Sequence, residues 1–219
     1  MRNLHLKEEL DLFYPERLFQ SICDEDKLVL DFFENKHNGY AIDIGAADGV
    51  CINNCFKLFN TPYEWNGLSI EANPRFYKQL DYIFENTGVS VYKGAIHPEH
   101  NEVEFYQMIE EGSRIGHSNT TGQDLYMPHN TINVPAKSIN NILNDFNVPN
   151  YIDFISMDIE GAEKYVLDYW DYDKYKVKMW CIENGHRYEE FFNTKGYVSY
   201  IPQGYELCHG NYFFINNNI

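Results

Sequence analysis

Basic residues are scarce in this chain of 219 residues, in which 17 lysines and arginines stand against 33 aspartates and glutamates. The resulting formal net charge of −16 repels phosphate backbones and anionic lipid surfaces. No cluster of lysine and arginine longer than two residues interrupts this acidity. We therefore expect neither nucleic acid nor a membrane surface as a partner.

Cysteine motifs and long apolar runs are lacking as well. The chain has five cysteines at irregular spacing and no CxxC pair, which argues against a zinc site and a disulfide framework. No apolar run approaches the length of a membrane span. Lys7, Glu8 and Glu9 lie where a signal peptide would need apolar residues. We expect a soluble, cytoplasmic protein.

What the chain does contain is the composition of a folded domain, with 44% hydrophobic and 16% aromatic residues. Its length suits one α/β domain. Apolar residues at loosely helical spacing predict a short N-terminal helical cap over residues 1–38, and the main domain then covers residues 39–219.

Strands alternate with helices through the main domain, which predicts an α/β fold with a mostly parallel, seven-stranded sheet flanked by helices. The strands are expected at residues 40–44, 67–70, 89–93, 151–157, 177–182, 197–201 and 212–215, the last two pairing antiparallel. Helices are expected at residues 52–59, 74–85, 138–146, 162–169 and 187–194. Residues 102–108 alternate like an exposed strand, and residues 110–133 are predicted to form a long loop over one end of the sheet.

A glycine-containing turn follows the first strand, in the segment Asp43-Ile-Gly-Ala-Ala-Asp-Gly-Val50. Glycines let the backbone approach a ligand, and a helix N-terminus offers free N–H groups. The GxGxxG pattern of dinucleotide-binding folds is broken here by Ala47 and Val50. The D-x-G-x-x-x-G spacing instead suits the methionine end of S-adenosylmethionine, with Asp43 fixing the loop or accepting from the ligand amine.

Glu71 ends the second strand, 28 residues after Asp43. In an open α/β sheet this position places the carboxylate beside the glycine turn, at the carboxyl edge of the sheet. A carboxylate there can accept both hydroxyls of a ribose. The alternative is that Glu71 caps the helix that begins near Pro74.

Four chemically active side chains follow two further strands of the predicted sheet: Asp158, Glu160, Glu183 and His186. They lie just past the ends of these strands, at the edge where open α/β sheets bind ligands. An acidic cluster with a histidine suits a general base, a substrate clamp or a divalent metal site.

Taken together, these segments resemble the FkbM-type methyltransferase family. The resemblance rests on DIGAADGV at 43–50, the pair Asn53-Asn54, WNGLSIEANP at 65–74, KGAI at 93–96, DFISMDIEGAE at 153–163 and IENGH at 182–186. The D-x-E-G-A-E element is the most diagnostic of them. Met157 is a departure, because many members have lysine there.

The resemblance implies a Rossmann-like class I methyltransferase fold, S-adenosylmethionine as cofactor, and a hydroxyl of a sugar, glycan or other small molecule as acceptor. It implies a cofactor site formed by Asp43, Gly45, Ala46, Asp48, Gly49, Asn54, Glu71, Ala72, Asn73, Ala95 and Asp158. In that site Glu71 binds the ribose, Asn54 reaches the methionine end or orients the loop, and Ala95 leaves room for the adenine.

Methyl transfer to a hydroxyl is accelerated by a base, and the catalytic candidates are Asp158, His186 and Glu183. Histidine as a residue type is suited to this role at neutral pH, whereas Asp158 has the alternative of holding the substrate or the methionine amine. Glu160, and His117 in the predicted long loop, are candidates for substrate contact. No metal ligand is assigned.

Other functions stay open. The chain could be a nucleic-acid 2′-hydroxyl methyltransferase, although its negative charge opposes this. It could also be a non-catalytic subunit or sensor that binds S-adenosylmethionine, although the intact acidic set argues for catalysis. A metal-dependent enzyme is a further alternative, which inhibition by a chelator would establish.

Overall fold

The computed structural model describes residues 21, 25–50, 53–60, 62–108, 129–201 and 210–219. Within the predicted cap it contains one helix, α1 at Glu25–Phe32, whose Val29 and Leu30 are buried against the main domain. Residues 1–20 and 22–24 of the cap lie outside the described residues. The division into a cap and a main domain therefore stays a prediction.

The remaining elements alternate as the sequence predicts. The strands are β1 Tyr40–Ile44, β2 Asn66–Glu71, β3 Val89–Lys93, β4 Ala95–Ile96, β5 Glu102–Met108, β6 His129–Lys137, β7 Tyr151–Met157, β8 Lys176–Glu183, β9 Tyr197–Tyr200 and β10 Asn211–Asn216. The helices are α2 Phe56–Phe59, α3 Tyr77–Phe84, α4 Ile139–Asp145, α5 Lys164–Leu167 and α6 Glu189–Thr194, with a 3₁₀ turn at Gly185–Tyr188.

Seven strands form one sheet in the order β3-β2-β1-β7-β8-β10-β9. The neighbours from β3 to β8 pair in parallel, and β10 lies antiparallel between β8 and β9. The predicted Rossmann-like class I methyltransferase fold and the antiparallel pairing of the last two strands are confirmed. Because parallel strands run in one direction, the carboxyl ends of β1, β2, β7 and β8 meet at one edge.

The central strands are buried on both faces of the sheet, as parallel strands covered by helices usually are. Ile42 of β1 and Ile155 of β7 lie in the apolar cluster on one face. Ala41 and Phe154, their neighbours in the chain, lie in the cluster on the other face. Side chains that alternate along β1 and β7 therefore pack into two apolar clusters, one on each face of the sheet. A shift of either strand by one residue would exchange its two faces, so this packing fixes the register of both strands.

A second, smaller sheet corrects the prediction of a loop over residues 110–133. Its strand order is β4-β6-β5, and β6 begins at His129. Val134 and Ala136 of β6 are buried with Phe105 of β5, whereas Thr131, Asn133 and Lys137 on the other face of β6 are exposed and polar. The polar outer face of β6 explains why its sequence has the character of a loop. Residues 109–128 lie outside the described residues.

Several helices are shorter than their sequence patterns predict. The helix predicted over residues 52–59 begins at Phe56, because the Oδ1 atom of Asn53 accepts the backbone N–H of Cys55 at 2.9 Å and holds a turn there. The helix predicted over residues 187–194 begins at Glu189, after the 3₁₀ turn. Residues 53–55 of the helix predicted over residues 52–59 thus form a turn that the Asn53 side chain stabilises.

Asp153, near the start of β7, fastens the segment before β1 to the sheet. One carboxylate oxygen accepts from Nζ of Lys36 at 2.7 Å, and the other accepts from the backbone N–H of Tyr40 at 2.9 Å. The Asp153 side chain is 5% exposed. Lys137 and Asp145 form an ion pair of the same length, 2.7 Å, but both side chains are about half exposed.

We expect Asp153→Ala to lower the free energy of unfolding by about 1–3 kcal/mol, because it leaves a backbone donor without its partner. The matched change Asp145→Ala removes an ion pair of equal length at the surface, where such pairs contribute about 0–1 kcal/mol. Urea denaturation of both variants measures the difference. Equal losses would contradict the role given to burial.

Candidate functional site

The turn after β1 is held between the ends of three strands. Gly45 and Ala46 both donate their backbone N–H groups to the carbonyl oxygen of Ile70 in β2, at 2.9 and 3.1 Å. On the other side, a β-carbon on Gly45 would lie 1.8 Å from the carbonyl oxygen of Asp158. Gly45 also has a φ of +90°. Only glycine meets both requirements, so the turn presents bare backbone at the sheet edge.

Asp43 supports this turn from within the protein. Its Oδ2 atom accepts a 2.6 Å hydrogen bond from Nδ2 of Asn53, which also donates to the carbonyl oxygen of Ala46 at 3.2 Å. Asp43 is buried, and desolvation raises the pKa of its carboxyl to about 6, against the lowering effect of the Asn53 bond. These contacts favour the loop-fixing role for Asp43. Asn53 is a supporting residue to which the sequence pattern alone assigns no role.

Three further residues of the predicted cofactor loop have structural contacts. Oδ1 of Asp48 accepts the backbone N–H of Val50 at 2.9 Å. Nδ2 of Asn54 donates to Oγ of Ser156 in β7 at 3.1 Å. A β-carbon on Gly49, where φ is +77°, would lie 2.7 Å from the side chain of Leu80. Asn54 therefore contacts β7, and its two predicted roles stay predictions.

The carboxylate of Glu71 connects the end of β2 to the glycine turn. Its Oε2 accepts the backbone N–H of Ala47 at 2.7 Å, and its Oε1 accepts that of Asn73 at 2.6 Å. Glu71 is 1% exposed. Desolvation raises the pKa of its carboxyl to about 7, although the two backbone N–H bonds act in the opposite direction. Ala47 has a φ of +49°, so this bond accompanies a left-handed backbone at a residue other than glycine.

The other predicted cofactor residues lie in the small sheet or contact it. Asn73 is buried, and its Oδ1 accepts from the backbone N–H of Arg75 and from the side chain of Gln107. Ala95 is buried in the small sheet's apolar cluster, and Ala72 packs against the same cluster. The predicted proximity of Ala95 to adenine stays a prediction.

Asp158, Glu160 and Glu183 come together at the carboxyl ends of β7 and β8. Carboxylate oxygens from all three lie within 4.8 Å of one another. The Asp158 side chain keeps an exposed face, yet desolvation by the surrounding protein raises its pKa well above the ordinary range. The negative charges of Glu183 and Glu160 and a hydrogen bond with Glu183 raise it further. A shared proton suits this arrangement. The spacing also admits a divalent cation, so the metal-dependent alternative stays open.

Among the described residues, His186 is not a member of this acidic group. It is exposed on the 3₁₀ turn after β8, and its ring centroid is 5.4 Å from that of Tyr212 in β10. Its proposed role as a base therefore has less geometric support than that of Asp158. His117 lies outside the described residues.

Glu163 is a supporting residue that the sequence leaves without a role, although it ends the D-x-E-G-A-E element. It is buried, accepts the backbone N–H of Gly161 at 2.9 Å, and accepts from the hydroxyl of Tyr188 at 3.1 Å. Gly161 follows Glu160, and Tyr188 ends the turn after Glu183. Glu163 thus joins the two loops that carry the acidic group.

The strand order brings the turn at Gly45 and the carboxylate of Glu71 to the same edge of the sheet. The turn suits the methionine end of one ligand, and the carboxylate suits its ribose. A side chain on Gly45 would collide with the backbone of Asp158, so the turn can follow this course only with glycine. The protein is a methyltransferase of the class I fold, and its cofactor is S-adenosylmethionine. The chain belongs to the FkbM methyltransferase family, whose methyltransferase FkbM domain matches residues 43–209.

Solved structures similar to this chain are distant in sequence. The FkbM methyltransferase of Methylobacillus flagellatus KT is 15% identical, over 98% of this chain and 59% of that one, with a TM-score of 0.43. Precorrin-6y C5,15-methyltransferase of Geobacter metallireducens GS-15 is 13% identical over 87% and 85%, with a TM-score of 0.47. A methyltransferase of Pyrococcus furiosus is 11% identical over 98% and 94%, with a TM-score of 0.46. No curated protein matches.

Helices in the described part of the chain are all too short or too polar to cross a membrane. The expectation of a cytoplasmic location stays a prediction.

We expect Gly45→Ala to weaken S-adenosylhomocysteine binding more than tenfold, because the new methyl group must displace backbone at Asp158. The matched control is Gly196→Ala, since Gly196 has a φ of +83° but its β-carbon would meet nothing nearer than 3.8 Å. That change costs only the left-handed strain, about 1–2 kcal/mol of stability. Calorimetric titration compares both variants. Equal affinities would show that the turn tolerates a side chain.

Proposed function

We propose that the protein transfers the methyl group of S-adenosylmethionine to a hydroxyl of a sugar, glycan or other small molecule, with Asp158 as the base. The observation that carries this proposal is the position of Asp158. Its backbone touches the glycine turn at Gly45, and its carboxyl lies in the acidic group with Glu160 and Glu183. One residue therefore joins the cofactor turn to the group that can receive a proton.

When bound, S-adenosylmethionine supplies an electrophilic methyl carbon on a sulfonium. Transfer of that methyl group to an acceptor hydroxyl would leave a thioether on the cofactor and would release one proton from the acceptor. The acceptor proton passes to Oδ of Asp158. Alignment of reactants contributes about 7–11 kcal/mol in well-oriented systems, and a base typically adds about 10²–10⁴-fold.

The raised pKa of Asp158 supports its role as a base. A carboxylate with an ordinary pKa is too weak a base to attract an alcohol proton strongly, whereas a raised pKa increases its proton affinity. Glu183 and Glu160 raise that pKa in this protein. We assign Glu183 to sharing the proton with Asp158, and Glu160 to hydrogen bonding with the acceptor hydroxyls.

A small-molecule acceptor fits the charge better than a polynucleotide does. The chain has a net charge of −16, and three carboxylates meet at the proposed acceptor position. Sugar hydroxyls donate hydrogen bonds to carboxylates, whereas phosphates are repelled by them. Transfer of a tritium-labelled methyl group to a panel of sugars, glycans and RNA tests the choice. Labelling of RNA alone would overturn it, and labelling of nothing would favour a non-catalytic role.

For the cofactor, we propose that ionised Glu71 accepts the ribose hydroxyls. Because burial raises the pKa of Glu71 to about 7, affinity for S-adenosylhomocysteine should rise between pH 5.5 and 8 as the carboxyl loses its proton. Glu71→Gln should weaken binding roughly tenfold at pH 8, since charge-assisted hydrogen bonds are stronger than neutral ones. The same change should also flatten the pH dependence of this affinity above pH 7. The pH dependence that remains at lower pH is then due to Asp43, whose pKa is about 6. An unchanged profile would assign Glu71 to the turn alone.

For the base, we expect Asp158→Asn to lower kcat by about 10²–10⁴ while the affinity for S-adenosylhomocysteine changes little. In the parent, kcat should rise with pH through a value well above the ordinary range of a carboxyl, because the raised pKa keeps Asp158 protonated at lower pH. His186→Ala is the comparison variant, and we expect turnover near that of the parent. A larger loss in His186→Ala than in Asp158→Asn would transfer the role to His186.

A further inference from the structure

Gln107 connects the small sheet to the cofactor edge of the large one. It lies on β5, and its Nε2 is 2.6 Å from Oδ1 of Asn73. Asn73 follows the end of β2 by two residues and is buried. This contact spans 34 positions in sequence, and neither residue type nor spacing makes it predictable.

The direction of this hydrogen bond is fixed by the backbone. Oδ1 of Asn73 also accepts the N–H of Arg75 at 3.1 Å, and a backbone N–H can only donate. The atom of Asn73 that faces Gln107 is therefore the amide oxygen. Gln107 must therefore present its NH₂ group to Asn73. The hydrogen bond between Arg75 and Asn73 thus determines how the amide of Gln107 is oriented.

The same asparagine holds the carboxylate of Glu71. The backbone N–H of Asn73 donates to Oε1 of Glu71 at 2.6 Å, while the N–H of Ala47 donates to Oε2. Movement of Asn73 would rotate the carboxylate or remove one of its two donors. Gln107 limits that movement from the side of the small sheet.

We propose that Gln107 is a positioning residue for Glu71, through which the small sheet orients the carboxylate that binds the cofactor ribose. This inference rests on the ribose role proposed for Glu71. Gln107 touches neither the cofactor nor the acceptor in this role. Its effect reaches the ligand only through Asn73 and Glu71, which makes it separable from a general contribution to folding.

The experiment is a double-variant cycle of Gln107→Met and Glu71→Gln, with S-adenosylhomocysteine binding measured by calorimetry at pH 8. Methionine has nearly the length of glutamine but has no donor. Gln107→Met alone should weaken binding roughly three- to tenfold, the range that loss of one hydrogen bond produces. In the Glu71→Gln background the same change should have little further effect, because the carboxylate that Gln107 orients is gone.

Asn133→Leu is the matched control. Asn133 lies on the neighbouring strand β6, and its Nδ2 donates to Glu102 of β5 at 2.9 Å, away from Asn73. Thermal unfolding of each variant identifies any loss of fold, and Gln107→Glu, which also lacks the donor, serves as a second variant. Unchanged affinity in Gln107→Met, or losses that add fully in the double variant, would overturn the inference. Failure of Glu71→Gln to weaken binding would instead overturn the ribose role, and the inference with it.

Discussion

The carbonyl oxygen of Ile70 accepts two backbone N–H groups, those of Gly45 and Ala46. A third bond, from the N–H of Asp158 to the carbonyl oxygen of Ile44, ties β7 to the same point. Three parallel strands thus end together around one turn, which begins at Gly45. The cofactor turn, the carboxylate of Glu71 and the acidic group all depend on this convergence, because each begins one or two residues beyond it. A shift of any of the three strands by one residue would turn these side chains to the other face.

The edge so formed concentrates acids whose pKa values are raised: Asp43, Glu71 and Asp158. For each, desolvation is the largest cause. A buried acid with a raised pKa binds its proton more tightly in the folded state than in the unfolded state, so its contribution to stability falls as pH rises through the raised pKa. The site therefore opposes folding at neutral pH. The two apolar clusters of the large sheet supply the compensating stability, since each fully buried Leu, Ile or Phe contributes about 1.5–3 kcal/mol.

The large sheet is predictable because its strands are apolar runs bounded by glycine and polar residues, and periodicity alone locates them. The positions of Asp43, Glu71, Asp158 and Glu183 then follow from parallel strands ending at one edge. The features that the sequence does not predict depend on hydrogen bonds made by individual side chains. Asn53 shortens α2 by capping a turn, and Glu163 joins two loops through Tyr188. Strand β6 escapes for another reason, since its outer face is as polar as a loop. The exposure of His186 depends on the direction of a 3₁₀ turn, which no spacing specifies.

The pairing of β5 with β6 has a consequence for how this protein can vary. Met108 and His129 are register partners, so the stretch between them leaves and rejoins the small sheet at one place. In general, the entropy of closing a loop rises only slowly with its length, and doubling the number of residues costs about 0.6 kcal/mol. An insertion between these two positions should therefore leave the pairing of β5 with β6 unchanged. The small sheet can accommodate such a change because the chain leaves it and returns to it at one pair of facing residues.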